Sequence, residues 1–111
     1  MYGELTAVTD AGRRFVALAE EHAADFATRA ADHDRDGSFP FENFEAMKQS
    51  GFMAAPVPEE FGGLGLFSIH DLGVGLSRLA RGDGSTAIAA NMHLLSVWTI
   101  HRLLRIVRAG G

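Results

Sequence analysis

Apolar positions recur along this chain at the spacing of helical faces. From about Thr9 to His33, the residues Phe15, Leu18, Ala19, His22, Phe26 and Ala30 fall on one stripe, with Arg13, Arg14, Glu20, Glu21 and Arg29 mostly off it. Thr9 or Asp10 supplies the N-terminal cap. His22 lies on the stripe and reads as a packed histidine with one hydrogen bond. A short second helix opens at Pro40 and closes at Gly51, since proline suits a helix start and glycine the position past its end. Its apolar side is Phe41, Phe44 and Met47. The run Ala55-Pro56-Val57-Pro58 is expected to be extended, because a residue before proline avoids the α region. Glu59 to Phe61 make one turn, and Gly62-Gly63 permits backbone angles closed to other residues. A third helix starts at Ser68, with Asp71 placed as in a capping box and Leu72, Leu76 and Leu79 as its stripe. Gly73 and Gly75 weaken that helix by about 1 kcal/mol each relative to alanine, which makes sense if another helix approaches closely there. Gly82 ends it, Asp83 caps the next, and a fourth helix runs from about Gly84 to Arg108. With no strand pattern and no repeat, residues 1–111 form one all-α domain, an up-and-down bundle of four main helices.

The fourth helix changes the picture. Ser85 to Ile100 contains no Asp, Glu, Lys or Arg, yet it is shorter than the roughly 20 residues that cross a bilayer and carries Asn91, His93, Ser96 and Thr99. A helix apolar nearly all round is normally buried. A chain of 111 residues has little to wrap around it, so the chain is expected to be a fragment of a larger protein.

Charge and composition exclude several classes of function. The net charge of −4, with nine arginines and one lysine, leaves no footprint for nucleic acid and no polybasic membrane patch. The absence of cysteine excludes disulfides, thiol catalysis and cysteine zinc sites. Met1 to Asp10 lacks the basic and apolar regions of a signal peptide, which makes a cytoplasmic location the expectation.

One local motif invites a metal reading. Asp32-His33-Asp34-Arg35-Asp36-Gly37 matches the first half of a calcium loop. The bidentate glutamate required at position twelve is replaced by Asn43, Glu42 falls one residue early, and Pro40 occupies position nine. The expectation is a polar turn without metal, in which Asp36 or Ser38 helps cap the second helix.

The run Phe39-Pro40-Phe41-Glu42-Asn43-Phe44, then Met47, Gly51-Phe52 and Val57-Pro58-Glu59-Glu60-Phe61-Gly62-Gly63-Leu64-Gly65, resembles the N-terminal domain of acyl-CoA dehydrogenases. The resemblance continues through the glycine-containing third helix into Asp83-Gly84-Ser85-Thr86-Ala87 and covers about Phe15 to Arg108. It implies a three-part flavoprotein, in which this domain packs on a central β-domain and a C-terminal helical domain that hold FAD, often with a neighbouring subunit. The parent is then a homo-oligomeric oxidoreductase that desaturates acyl-CoA thioesters or related small molecules. Its catalytic base and most of its flavin cradle lie outside this chain, which by itself is inactive. By matching position, Ser85, Thr86, Ala89, Ala90, His93 and Leu94 line or flank the distal acyl pocket. Plain helix packing is the competing reading for each.

Two alternatives stand beside the dehydrogenase. Flavin monooxygenases of the same fold place an active-site histidine in this part of the helix, which makes His93 the candidate here. A free-standing helical interaction module is the third reading, with the exposed face of the fourth helix as partner surface.

Overall fold

Thr9 opens the first helix by accepting a hydrogen bond from the Gly12 amide at 2.9 Å. The computed structural model describes residues 5–110. Helix α1 (Asp10–Asp36) leads to α2 (Phe41–Ser50), single 3-10 turns at Phe52–Ala54 and Glu59–Phe61, then α3 (Ile69–Ala80) and α4 (Gly84–Gly110). No strand occurs among the described residues, and the predicted all-α architecture holds.

Helices α1 and α3 run parallel and in step. Gly12 abuts Asp71, Phe15 abuts Gly75, Glu20 meets Arg78 at 3.4 Å, and Ala23 abuts Gly82. The sequence offset between partners is nearly constant, as parallel axes require. A Cβ on Gly75 would overlap the Phe15 ring, whereas Gly73 has nothing within 4 Å. The expected close approach therefore holds at Gly75 and not at Gly73, because residues two apart sit about 200° apart around a helix. The Phe15 ring stacks on Phe52 at 4.4 Å in a core that also takes in Phe26, Met47, Leu72, Leu79 and Leu94. His22 is packed as expected, 5.2 Å from the Phe26 ring with Nε2 2.8 Å from Ser50 Oγ.

The Ser68–Asp71 pair makes only half of a capping box. Ser68 Oγ accepts from the Asp71 amide at 3.1 Å. The Asp71 carboxylate, fully buried, accepts instead from the Val8 amide (3.0 Å), the Thr9 amide (2.9 Å) and the Thr9 hydroxyl (2.6 Å). It thereby ties the entry of α1 to the start of α3. Burial alone would push its carboxyl up, but those three donors, with His70 nearby, hold it below the usual carboxylate range.

Four expectations are corrected. Helix α1 runs on to Asp36, so the aspartate motif is helical and not a turn; Asp32 pairs with Arg35 at 2.6 Å, and Gly37 closes the helix at φ 64°. Neither Asp36 nor Ser38 caps α2: Ser38 Oγ sits 2.8 Å from His33 Nδ1, and no side chain caps the start at Pro40. The buried side of α2 is Asn43 and Met47, while Phe41 is exposed and packs on Phe39 at 4.7 Å. Ala55, although it precedes Pro56, is α-helical (φ −51°, ψ −44°), because it closes the turn on the Phe52 carbonyl and its side chain is fully buried. Local preference yields there to burial. The loop that follows is closed by Gly65 N to Val57 O and Leu66 N to Ala55 O, each 2.9 Å, and by the Arg14–Glu59 ion pair at 2.8 Å.

Helix α4 turns back antiparallel to α3, and the Trp98 indole donates to the Phe67 carbonyl at 2.9 Å beside the start of α3. Its 27 residues extend about 40 Å, more than twice the reach of the 12 in α3, so its last turns pass beyond that helix. Only one face is covered, by Thr86, Ala87, Ala90 and Leu94; Ile88, Met92 and Leu103 are exposed. The expectation of a helix buried all round is not met within this chain. The described residues form a slab of 52 × 36 × 18 Å, only about two helices thick. No helix among them is long and apolar enough to cross a membrane.

Candidate functional site

The link after α1 and the turn before α4 face each other across an open cleft of about 580 Å³. His33, Asp34 and Ser38 line one side, and Asp83, Gly84 and Ser85 the other. A hollow of about 280 Å³ continues it past Ser85 to Ala89, against Phe39, Pro40 and Phe44. The cleft thus has a polar mouth and an apolar end. A separate hollow of about 510 Å³ lies at the far end of α4 between Pro58, Phe67, Arg105 and Arg108, and none of the sequence-predicted site residues lines it.

Helical geometry divides the six predicted residues into two stripes. Ser85, Ala89 and His93 stand at i, i+4 and i+8 and lie toward the outside; Thr86, Ala90 and Leu94 do the same and are buried. Ser85 and Ala89 line the cleft. His93 is exposed one turn further on, with Nε2 3.2 Å from the Met53 carbonyl oxygen. Ala90 and Leu94 belong to the hydrophobic core.

Thr86 has a different task. Its hydroxyl donates to Asp83 Oδ2 at 3.0 Å and receives a hydrogen bond from Asn43 Nδ2 at 3.1 Å. Asp83 caps α4 through the Ser85 and Thr86 amides at 3.1 and 3.3 Å. Asn43, fully buried, also accepts from Arg29 at 2.7 Å, and the two terminal nitrogens of that guanidinium donate to Asp25 at 3.0 and 2.9 Å. The hydrogen bond to Arg29 lowers the Asp25 carboxyl below its ordinary value. A continuous polar chain thus runs from α1 through α2 to the head of α4, directly behind the cleft. Asn43 is not among the candidate residues that the sequence offers. Its only signal there is a polar residue four positions before Met47, which a stripe built on Phe41 and Phe44 hides.

The cleft can bind, and its groups offer little chemistry of their own. His33 is committed at both nitrogens, to Ser38 and to Glu42 at 2.5 Å. No three His, Asp or Glu side chains among the described residues are placed to hold a metal ion. The cleft does not fit a flavin either. It is open on one side, and Asp34 and Asp83 at its mouth oppose a flavin phosphate.

Comparison with known proteins places this geometry in a family. The model of the acyl-CoA dehydrogenase N-terminal domain matches residues 6–103. The L-evernosamine nitrososynthase of Micromonospora sp. is 45% identical over 87 residues, 78% of this chain and 21% of that one. The putative acyl-CoA dehydrogenase YdbM of Bacillus subtilis is 38% identical over 72 residues, 65% of this chain and 19% of that one. The X-ray structure of KijD3 in complex with FMN and dTDP-3-amino-2,3,6-trideoxy-4-keto-3-methyl-D-glucose superposes with a TM-score of 0.84 at 41% identity, covering 90% of this chain and 25% of that one. The chain spans about a fifth of the length of these curated relatives. It belongs to the acyl-CoA dehydrogenase N-terminal domain family.

Proposed function

We propose that this chain is the N-terminal helical domain of a flavin-dependent monooxygenase that oxidises the amino nitrogen of a nucleotide-linked amino sugar. The observation that carries the reading is the character of the cleft at the head of α4. Hydroxyls and carboxylates of Ser38, Ser85, Asp34 and Asp83 surround its mouth, and Phe39, Phe44 and Ala89 its end. A deoxy amino sugar has both a polar edge and an apolar one, and its ammonium suits the Asp34 and Asp83 carboxylates. The linked diphosphate, which they oppose as they oppose a flavin phosphate, stays outside the cleft. A fatty acyl chain gains nothing from polar walls. The likeness to a nitrososynthase and to KijD3 with its bound amino sugar supports the same choice. It moves the emphasis from the dehydrogenase that led the sequence-based expectations to the monooxygenase that stood second, and away from a free-standing module.

Ser85, Ala89 and His93 form the substrate-facing stripe in this reading, with His93 the residue nearest the chemistry. The flavin is held by the remaining domains. FAD was the expectation from the family resemblance, and FMN is what KijD3 carries. When bound and reduced it supplies the electrons that let one atom of O2 pass to nitrogen and the other leave as water. The domain's own residues shape the cleft, orient the sugar and exclude water.

The test uses the intact parent protein with reduced FMN, oxygen and a dTDP-3-amino sugar, set against a series of acyl-CoA thioesters. Mass spectrometry should find oxygen added to the amino sugar and no desaturated thioester. Anaerobic bleaching of an oxidised flavin by acyl-CoA, with the amino sugar unchanged, would instead establish the dehydrogenase, which the YdbM likeness favours.

A further inference from the structure

We infer that Asn43 is a positioning residue that sets the substrate-facing stripe of α4 from behind. The inference rests on the proposed function for its substrate, and on geometry alone for its mechanism.

Asn43 is a polar side chain with no exposure, on the inner side of a ten-residue helix whose aromatic Phe41 points outward. Such a residue is retained inside a core only if its hydrogen bonds are satisfied. Here both ends are used, and each joins a different helix. Oδ1 takes the Arg29 guanidinium of α1, itself clamped by Asp25. Nδ2 donates to Thr86 Oγ1 at 3.1 Å and, at 3.4 Å, to Asp83 Oδ2. The two receiving residues are the cap and the third residue of α4. Between them stands Ser85, whose amide also bonds the Asp83 carboxylate and whose side chain lines the cleft.

The consequence is mechanical. Apolar packing holds α4 along its Ala87, Ala90 and Leu94 face, but none of the first-turn residues before Ala87, from Gly84 to Thr86, belongs to that apolar core. The Arg29–Asn43–Thr86 chain selects one azimuth for that turn, and so places Ser85 and Ala89 relative to the Gly37–Pro40 wall. An apolar residue of the same volume would fill the space and lose the selection.

The experiment compares Asn43→Leu, Thr86→Val and the double variant with Thr86→Ser, all in the full-length protein. In the substrate-free state, amide hydrogen exchange at Ser85 and Thr86 should quicken roughly tenfold in Asn43→Leu and Thr86→Val. Amides of α3 from Leu72 to Leu79 should stay unchanged. With the dTDP-amino sugar, KM should rise roughly tenfold in each single variant, since a wall displaced by an ångström costs up to about a hundredfold in kcat/KM. kcat should change much less. The double variant should be no worse than either single one, because both cut the same link. Thr86→Ser keeps the hydroxyl and should behave as the parent. Unchanged exchange at the head of α4 would overturn the inference. So would exchange that quickens equally in α3, which marks a general loss of stability. A local increase with KM untouched would also overturn it. Failure of the protein to turn over any amino sugar counts against the proposed function alone, and the exchange pattern then decides the role of Asn43.

Discussion

Two glycines in α3, two residues apart, should respond in opposite directions to the same substitution. Gly75→Ala adds one methyl at the contact with α1. Its Cβ falls inside the van der Waals envelope of Phe15 Cε2 and Cδ2, and 3.3 Å from Cζ. Phe15 cannot swing aside, because it is fully buried and its ring is stacked on Phe52. Overpacking of this kind costs about 1–3 kcal/mol. The trapped ring puts the cost at the upper end, and the helix propensity of alanine offsets about 1 kcal/mol of it. A net loss of about 2 kcal/mol follows from those two magnitudes. Gly73→Ala meets nothing within 4 Å and should gain the propensity term of about 1 kcal/mol alone. The gap between the variants is then the overpacking cost of about 3 kcal/mol, roughly 10–20 °C in melting temperature for a domain of this size. Thermal and urea unfolding followed by circular dichroism measures both. If Gly75→Ala stabilises as much as Gly73→Ala does, the close approach of α1 and α3 is wrong and the parallel register with it.

Other outcomes test other parts of the structure. Asp71→Asn should cost about 1–3 kcal/mol at neutral pH, because it weakens the carboxylate's bonds to the Val8 amide and the Thr9 amide and hydroxyl. The folded Asp71 carboxyl is held below its ordinary value, so its contribution is complete above the usual carboxylate range and lost as pH falls through the lowered value. The acid limb of a urea-midpoint profile should therefore flatten in that variant, and an unchanged slope would refute the anchor. Burial lowers the His22 imidazole against the opposing pull of Asp25 and Glu21. The stability this neutral ring lends is full above the ordinary histidine value and declines as pH falls through the lowered one; an NMR titration midpoint above that of an unfolded histidine would contradict it. In the intact parent, Ala90→Leu should overpack the core at a cost of about 1–3 kcal/mol. Ala89→Leu should project into the 280 Å³ hollow, stay within about 0.5 kcal/mol of the parent and weaken substrate binding; equal losses of melting temperature would undo the two-stripe division. Calorimetric titration with calcium should show no micromolar binding, since Asp32, Asp34 and Asp36 sit on a helix and not in a loop; a micromolar isotherm would reverse that.

Much of the local structure was determined by the sequence, because caps, breakers and periodicity act over a few residues. Thr9, Ser68 and Asp83 cap where their hydroxyl and carboxylate groups are free to turn back on the next amides, and Gly37, Gly51 and Gly62 stop their elements with positive φ. The Pro-Glu-Glu-Phe-Gly-Gly string marked the family because several of its steps have narrow backbone requirements. What the sequence could not determine is which polar groups meet across the fold. Asp71 satisfied a local rule as a capping partner, yet its carboxylate was drawn away to Val8 and Thr9, more than sixty residues distant. Asn43 entered the core, and Phe41 left it, because Arg29, Thr86 and Asp83 arrived from two other helices to satisfy the amide. The pocket-facing and core-facing alanines, neighbours in sequence and identical in chemistry, were separated only by the azimuth at which α4 docks on the rest. Periodicity sets that a helix has a face. Which face is buried depends on what else is there to cover it, and here one layer of helices covers one side.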